Sequence, residues 1–478
     1  MRITNQMTTN RMLLNINRNA NAVNNFYTQL ASGKKIQLGS ENPIIASRAL
    51  KFRTNVSETT QYLSNVAQGM SWMEITEAAM SNIAESISLI KERSTEGSTG
   101  TKALADKHTF SNQLESYLAQ LRDEMNVTYA GRYIFSGYRT DTPPIFTKAN
   151  NESYTITQYF SATDIEHVKT YIKTDSSALP EASEVDRLKL PYTNLDSNSL
   201  TQLDVLDKAG NVVDTIIVEE LDSANSNTGN GDSAYKPDTM RAYYIKDTGE
   251  IILGKDALDV INANADGSIK AVYSKTNFAS GELNPLVYFD CVDNNTGKAY
   301  TMDDQNLQFE FGINTRVTVN NLAKDNLTAS LYSDMKALIQ MVNNISYTTE
   351  SELKAKYENL GYTGDDLQEQ ITKQLSDEKQ IYEGVLQNAF SNMLGLIEKH
   401  ATQASKEYTQ LGSRMNRLEL ISNRLTEDKL SYTTLMSENE NVDVVEATMN
   451  LNTANYVYQM ALQVGGNIMQ ISLADFIR

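Results

Sequence analysis

Cysteine and histidine are scarce in this chain, which has one cysteine and three histidines among 478 residues. These residues, Cys291, His108, His167 and His400, lie far apart and form no HExxH or CxxC spacing. A disulfide framework needs paired cysteines, and a structural zinc site needs about four nearby ligands. The sequence therefore predicts no disulfide, no metal and no cofactor. We expect Cys291 to be a small buried strand residue and the histidines to lie at the surface or an interface.

Signatures of catalysis are missing as well. The sequence has no GxxxxGK[ST] phosphate loop, no GxGxxG loop and no GxSxG nucleophile elbow. Asp303 with Asp304, and Asp247 with Gly249, lack the spacing and the distal glutamate of a calcium loop, so we interpret them as solvated turn residues. We expect a protein that is not an enzyme.

Basic charge and long apolar runs are also lacking. The chain has 60 acidic and 42 basic side chains, which leaves a formal net charge of -18. A nucleic-acid binder needs basic patches that neutralise phosphates, and a membrane-spanning helix needs about 18 consecutive apolar residues. Residues 1–10 also lack the apolar core of a signal peptide. These absences alone indicate a cytoplasmic protein that binds no nucleic acid and enters no membrane.

The seven prolines are confined to positions between Pro43 and Pro285. A proline inside a helix costs about 3 kcal/mol, so the proline-free stretches 44–142 and 286–478 are permitted to form long helices. Residues 147–330 are instead rich in Asp, Asn, Thr, Gly and Tyr, with short alternating apolar runs. They carry 28 acidic and 15 basic side chains, a net charge of -13. We predict an acidic, β-rich insertion.

Apolar residues at both ends recur at steps of three and four, the spacing of a coiled-coil seam. At the amino end the pattern comprises Leu13, Ile16, Ala20, Val23, Tyr27 and Leu30. At the carboxyl end it comprises Val457, Met460, Val464, Ile468 and Ile471. We predict that these residues form an assembly interface. Gly465 and Gly466 interrupt the second pattern, although each glycine costs a helix about 1 kcal/mol relative to alanine.

Long helices are predicted inside these ends. Asn42 and Pro43 are suited to cap and begin a helix that ends near Gly97. A third helix is expected to stop near Tyr129, and another to run from about Asp377 to Met436 with apolar residues up to Leu435. Because such narrow stripes cannot be buried within one helix, we expect the two arms of the chain to pack together.

The predicted fold is therefore mainly α-helical with an inserted β domain. Residues 1–40 with 440–478 are expected to form a terminal helical core, and 41–146 with 331–439 a coiled-coil rod of long helices. Residues 147–330 form the outer domain in this scheme. Hairpins are predicted at 243–253, at 307–319, and around the turn 294–297, which follows a strand predicted at 286–292.

Several short motifs resemble those of bacterial flagellins and their relatives, in the version found in hook–filament junction proteins. They are LASGKKI at 30–36, SENP at 40–43, NVTYAGRYIFSG at 126–137, TDTPP at 140–144, LGSRMNRL at 411–418 and SLADF at 472–476. The block at 126–137 separates this chain from ordinary flagellins. The residues that match the family's motifs most specifically are Ser32, Gly33, Asn42, Pro43, Gly131, Tyr133, Phe135 and Gly137.

The resemblance implies a structural protein of the extracellular bacterial flagellum, exported without a cleaved signal peptide. It implies a ring of identical subunits that contacts another hook-associated junction protein on the hook side. Flagellin or a second junction protein is implied on the filament side, and an export chaperone before assembly. Two alternatives stay open: a flagellin that forms the filament itself, and an insertion that acts additionally as a surface adhesin.

Overall fold

The computed structural model describes residues 5–100, 104–173, 178–221, 235, 242–302, 305–312 and 314–476, with side chains described between residues 7 and 467. The described helices are α1 (Asn5–Ser32), α2 (Pro43–Gly97), α3 (Leu104–Met125), α4 (Lys255–Ala263), α5 (Pro285–Tyr288), α6 (Ala323–Asn326), α7 (Ala329–Asn344), α8 (Glu350–Asn359), α9 (Gly364–Glu440) and α10 (Val444–Phe476). The chain divides into two compact units. The division into three domains stays a prediction.

The first unit comprises Met1–Gln68, Glu310–Arg316 and Arg417–Arg478. In it α1 packs on α10, and the start of α2 runs beside the end of α9, where the Asn439 side-chain amide donates to the carbonyl of Ile45 at 3.0 Å. Helix α2 begins at Pro43, and the Asn42 side chain accepts hydrogen bonds from the next two free amides, both at 3.2 Å. The predicted cap of this helix is confirmed.

The second unit comprises Gly69–Phe309 and Val317–Asn416. Here α2 and α9 run antiparallel, because Tyr408 donates to Glu77 at 3.1 Å while Lys91 pairs with Glu398 at 2.8 Å. Helix α3 packs on α7. Trp72 and Met73 are buried in the helical core.

The described strands are β1 (Thr128–Tyr129), β2 (Arg132–Tyr133), β3 (Asn150–Phe160), β4 (Glu166–Ile172), β5 (Glu181–Lys189), β6 (Gln202–Leu206), β7 (Val212–Leu221), β8 (Ala242–Ile245), β9 (Glu250–Leu253), β10 (Ser268–Phe278), β11 (Asp290–Asp293), β12 (Ala299–Tyr300), β13 (Gln308–Gly312) and β14 (Thr315–Thr318). Ten of them form one sheet in the order β12-β11-β3-β10-β6-β7-β8-β9-β5-β4. Its described pairs are antiparallel except β7 with β8, which is parallel.

Side chains alternate along the central strand β10, where Ile269, Ala271 and Tyr273 are buried and Val272 is exposed. This is the period expected for a sheet with one face on a core. The hairpins of β8 with β9, β11 with β12 and β13 with β14 confirm the predicted turns. Cys291 is a free, buried residue of β11, also as predicted.

Five expectations are wrong in detail. The strand predicted at 286–292 begins as the short helix α5, because Pro285 starts a helical turn that the Asn284 side chain caps. Helix α3 ends at Met125, and α9 begins earlier than predicted, at Gly364. Leu435 is exposed. His400 is buried, because it bonds to Asp334 and Thr328 between helices.

The end of α2 provides a test of the helical core. A Cβ on Gly97 would lie 2.5 Å to 2.7 Å from three ring atoms of Phe390, whereas a Cβ on Gly100 would meet nothing closer than 3.6 Å. We expect G97A to lower the free energy of unfolding by about 1–3 kcal/mol through overpacking. Urea unfolding followed by Trp72 fluorescence measures this. G100A is the matched control and should change it little; equal stability of the two variants would contradict the packing described.

Candidate assembly site at the chain termini

One side of α1 is partly buried. The larger half-buried apolar side chains recur at steps of three, four or seven and are Met12, Ile16, Val23, Phe26 and Leu30, with Asn19 completing the series. Of the predicted interface residues, Ile16, Val23 and Leu30 belong to this side. Leu13 is 49% exposed and Tyr27 65% exposed, so these two lie outside the covered stripe.

The facing side of α10 is made mostly of small residues. The covered positions are Ala447, Leu451, Ala454, Tyr458, Ala461 and Gly465, again at steps of three and four. Gly465 lies against α1, since a Cβ there would be 3.2 Å from Cδ1 of Ile16 and 3.3 Å from Cε of Met12. The absence of a side chain at this position lets the two helices approach closely. The helix continues through both glycines to Phe476.

A second apolar stripe of α10 is uncovered in the single chain. The predicted interface residues Val457, Met460 and Val464 are 45%, 41% and 54% exposed. With 3.6 residues per turn they lie roughly a quarter to a third of the circumference away from the small residues that face α1. The backbone of Ile468 and Ile471 continues this helix, but their side chains lie outside the described part.

Sequence reasoning missed the small-residue seam of α10. The spacing of Ala447, Leu451, Ala454, Tyr458 and Ala461 fits a heptad as well as the larger residues do. A pattern that accepted alanine and glycine at seam positions would have found it.

In both arms of the chain a helix ends near the same point of the structure, α1 at Ser32 and α9 at Glu440. After α1, Gly33 adopts a φ of +71°, a conformation that glycine reaches without strain. Its carbonyl accepts from the amide of Val442 at 2.9 Å, and the amide of Lys35 donates to the carbonyl of Glu440 at 2.8 Å. Ser32 is the last residue of α1, and its hydroxyl donates to the carbonyl of Thr28 at 2.7 Å. The two bends are therefore joined by backbone hydrogen bonds.

Charged side chains reinforce this junction. The carboxylate of Glu440, 6% exposed, accepts from Nε and Nη2 of Arg53, both at 2.7 Å, and from Nζ of Lys34 at 3.1 Å. Lys34 also donates to the side chain of Asn441 at 2.8 Å. The hydrogen bonds of Arg53, helped by Lys34, hold the pKa of the Glu440 carboxyl below its usual range although burial acts against them. We call Glu440, Arg53 and Lys34 the terminal clamp.

The motif at 126–137 forms a compact turn in the second unit. Ala130 and Gly131 both have positive φ, as a two-residue hairpin between β1 and β2 requires. The amide of Tyr133 donates to the carbonyl of Thr140 at 2.8 Å. Phe135 is fully buried, and its carbonyl accepts from the amide of Ala323 at 2.9 Å.

Gly137, at the end of the same motif, has a φ of +61°. A Cβ there would lie 2.8 Å from Cβ of Gln305. The position therefore requires glycine both for its backbone conformation and for the close approach of a neighbouring segment.

Other kinds of site find no support in the described residues. None of the described helices is long and apolar enough to cross a bilayer. Among the described histidine, cysteine, aspartate and glutamate side chains, no group of three is placed to hold a metal ion.

The ends of the chain match known families. Residues 3–140 match the Bacterial flagellin N-terminal helical region, and residues 394–477 match the Bacterial flagellin C-terminal helical region. Both ends of the chain are therefore similar to flagellins, and the resemblance predicted from its motifs is confirmed. The fold class, helical arms with an inserted β domain, is confirmed with it.

Individual relatives belong to the flagellum. Flagellar hook-associated protein 3 of Escherichia coli (strain K12) is 28% identical over 117 residues, which are 24% of this chain and 37% of that protein. A flagellin of Escherichia coli O127:H6 is 29% identical over 107 residues, 22% of this chain and 20% of that protein. A solved FlgL structure from Xanthomonas campestris aligns with 80% of this chain and 98% of its own, at 9% identity and a TM-score of 0.35. The sequence match with hook-associated protein 3 thus spans little more than a third of that relative.

The terminal clamp yields a prediction for variant E440Q. Loss of the carboxylate should weaken the junction by about 1 kcal/mol, because its two partners are largely solvated. The amides of Lys35 and Val442 should then exchange about fivefold faster in hydrogen–deuterium exchange. E438Q, which changes an exposed neighbour, is the control. Unchanged protection in E440Q would contradict the role of the clamp.

The carboxylate of Glu440 also makes the stability of the protein depend on pH. Because its folded pKa is lowered, its contribution to stability is present above the ordinary value of 4.5 and is lost as the pH falls through the folded pKa. The stability difference between wild type and E440Q should therefore shrink on acidification, as measured by far-UV circular dichroism. A difference that grew on acidification would contradict the lowered pKa.

Proposed function

We propose that this chain is a structural component of the bacterial flagellum, an adaptor that forms a ring joining hook to filament. The match of both termini to flagellin helical regions supports a flagellar structural role. The similarity to hook-associated protein 3 and the motif at 126–137 favour the junction over the filament. The protein has no catalytic role in this proposal.

The observation that carries the proposal is the uncovered stripe of α10. Val457, Met460 and Val464 stay exposed even though α10 is already paired with α1. Burial of each methylene group releases about 0.8 kcal/mol, so a neighbouring subunit that covered this stripe would be held firmly. Leu13 and Tyr27 of α1 extend the apolar surface available to neighbours.

Charge supports contact between α1 and α10 of different copies. Over Asn5–Ser32 the charged side chains are Arg11 and Arg18, whereas over Val444–Phe476 they are Glu446 and Asp475. The amino-terminal helix is therefore basic and the carboxyl-terminal helix acidic. Copies packed side by side bring opposite charges together, which favours association over repulsion.

The partners follow from this role. We infer self-association in a ring, another hook-associated junction protein on the hook side, and flagellin or a second junction protein on the filament side. The apolar stripe of α10 would be held by an export chaperone before assembly. The protein would act outside the cell, exported without a cleaved signal peptide, with no nucleic acid bound and no insertion into a membrane.

Electron microscopy of cells that lack this chain tests the role directly. The junction proposal requires hooks without filaments and flagellin lost to the medium. Normal filaments on such cells would overturn it. A filament-forming role is the second candidate, because the chain is also similar to a flagellin, 29% identical over 107 residues. Assembly of the purified chain alone into long filaments would favour that candidate.

The double variant V457D/V464D tests the exposed stripe. Because both side chains are solvated in the single chain, we expect an unchanged circular dichroism spectrum and loss of filament attachment in complemented cells. Q459D, on the polar side of the same helix, is the matched control and should restore motility. L451D, in the covered seam, should instead destabilise the terminal pair itself. Full motility with V457D/V464D would refute the assignment.

A further inference from the structure

A buried cluster of charged side chains joins the inserted sheet to the helices of the second unit. The ammonium of Lys189, on β5, lies 2.9 Å from Oε1 of Glu166 on β4 and 2.7 Å from Oδ1 of Asp334 on α7. The three side chains are 8%, 14% and 3% exposed. Lys189 is therefore shared between a carboxylate of its own sheet and a carboxylate of a helix.

The remaining members of the cluster extend it in two directions. Nε of Arg187 donates to Oε2 of Glu166 at 3.2 Å, and its Nη1 donates to Glu250. Glu250 also accepts from the hydroxyl of Tyr235 at 2.8 Å, so its negative charge is well compensated. On the helical side, Nε2 of His400 on α9 lies 3.2 Å from Oδ2 of Asp334.

The hydrogen bonds of the Thr328 hydroxyl indicate the protonation and the tautomer of His400. It lies 3.1 Å from Nδ1 of His400 and already accepts from the amide of Leu331 at 3.3 Å and from the hydroxyl of Ser330 at 3.1 Å. The proton of the Thr328 hydroxyl is therefore left to donate to Nδ1 of His400. His400 is then neutral, and the proton on its Nε2 is donated to Asp334. This tautomer satisfies every group around the ring.

The charges of the cluster do not balance. Three carboxylates, Glu166, Glu250 and Asp334, face two cations, Arg187 and Lys189. An uncompensated buried charge is costly, and uptake of one proton removes it. Burial raises the pKa of Glu166 against the attraction of Lys189 and Arg187. Lys189 and His400 hold the pKa of Asp334 well below its usual range although burial opposes them.

Neighbouring charges have partners of their own. Lys399 pairs with Asp164 at 2.9 Å, and Lys336 lies 3.9 Å from Glu282. Other charged or titratable groups around the cluster are Lys169, paired with Glu184, Lys324, which donates to the carbonyl of Met302, and Asp290, which accepts from the amide of Met302. Glu166 and His400 also line a cavity of about 580 Å³, through which water can reach them.

We propose that Glu166 binds a proton in mildly acidic surroundings and thereby releases Lys189 to Asp334, so that the inserted sheet is held more firmly on α7. The proton comes from solvent and adds to the carboxylate; no other bond changes. Neutral Glu166 no longer attracts the ammonium of Lys189. The ion pair of Lys189 with Asp334, which crosses the sheet–helix contact, is then free of that competition. The device is independent of the assembly role and can be tested on the isolated full chain.

The sign of the effect follows from linkage. Since the folded state holds Glu166 with a raised pKa, it binds more protons than the unfolded state between the ordinary and the raised value. The stabilisation is complete below the ordinary pKa and is lost as the pH rises through the raised one. One proton corresponds to at most about a tenfold rise in the unfolding constant per pH unit in that window.

Urea unfolding of the full chain between about pH 5 and 8, followed by fluorescence of the single tryptophan Trp72, measures this dependence. We expect the wild-type unfolding constant to rise with pH and variant E166Q to lose most of that rise. E115Q, which changes an exposed glutamate of α3 in the same unit, is the matched control and should keep it.

Several outcomes would overturn the proposal. They are a flat wild-type profile, an unchanged rise in E166Q, or loss of the rise in H400Q with the rise kept in E166Q, which would place the proton on the imidazole. If E166Q does not fold, potentiometry on the wild type decides. Unfolding of the wild type at about pH 6 should then release protons, and E115Q should release as many; no release by the wild type would refute the assignment.

Discussion

The pairing of chain segments from opposite ends is the constraint on which the rest of this structure depends. Helices of 55 and 77 residues carry apolar stripes that cannot be buried within one helix. Each must therefore find a partner, and the partner lies hundreds of residues away. Glu440 meets Lys34 and Arg53 across 406 and 387 positions. Such contacts are formed only after a large loss of chain entropy, which the long buried stripes offset.

The insertion also depends on a contact with a helix. Its ten-stranded sheet reaches the helices through Lys189, whose ammonium bonds to Asp334 on α7. A buried ion pair adds little net stability compared with an apolar contact, but removing one partner leaves an expensive unpaired charge. The cluster therefore fixes which part of the sheet contacts the helix more than it strengthens the fold. Three carboxylates around two cations make that contact sensitive to protons.

Much of the fold was predictable, because its signals are local. Asn42 and Pro43 determine a helix start through their own side chains, and Asp247-Thr248-Gly249 determines a hairpin through its own backbone. The position of His400 was not predictable, since its burial depends on Asp334 and Thr328, which lie 66 and 72 residues away in sequence. The helix at Pro285 was obscured because its residues belong to a short continuous apolar run, which is equally consistent with a buried strand.

The assembly site was also only partly predictable from the sequence. Sequence reasoning favours large apolar residues for a coiled-coil seam, so it selected Val457, Met460 and Val464. The structure places alanines and Gly465 against α1 instead, because small residues let two helices approach closely. The large residues are then left on the outside of a helix that is already paired. A chain that needed only its own fold would gain more by burying them inward. Their exposure is best explained by a partner that the single chain does not contain.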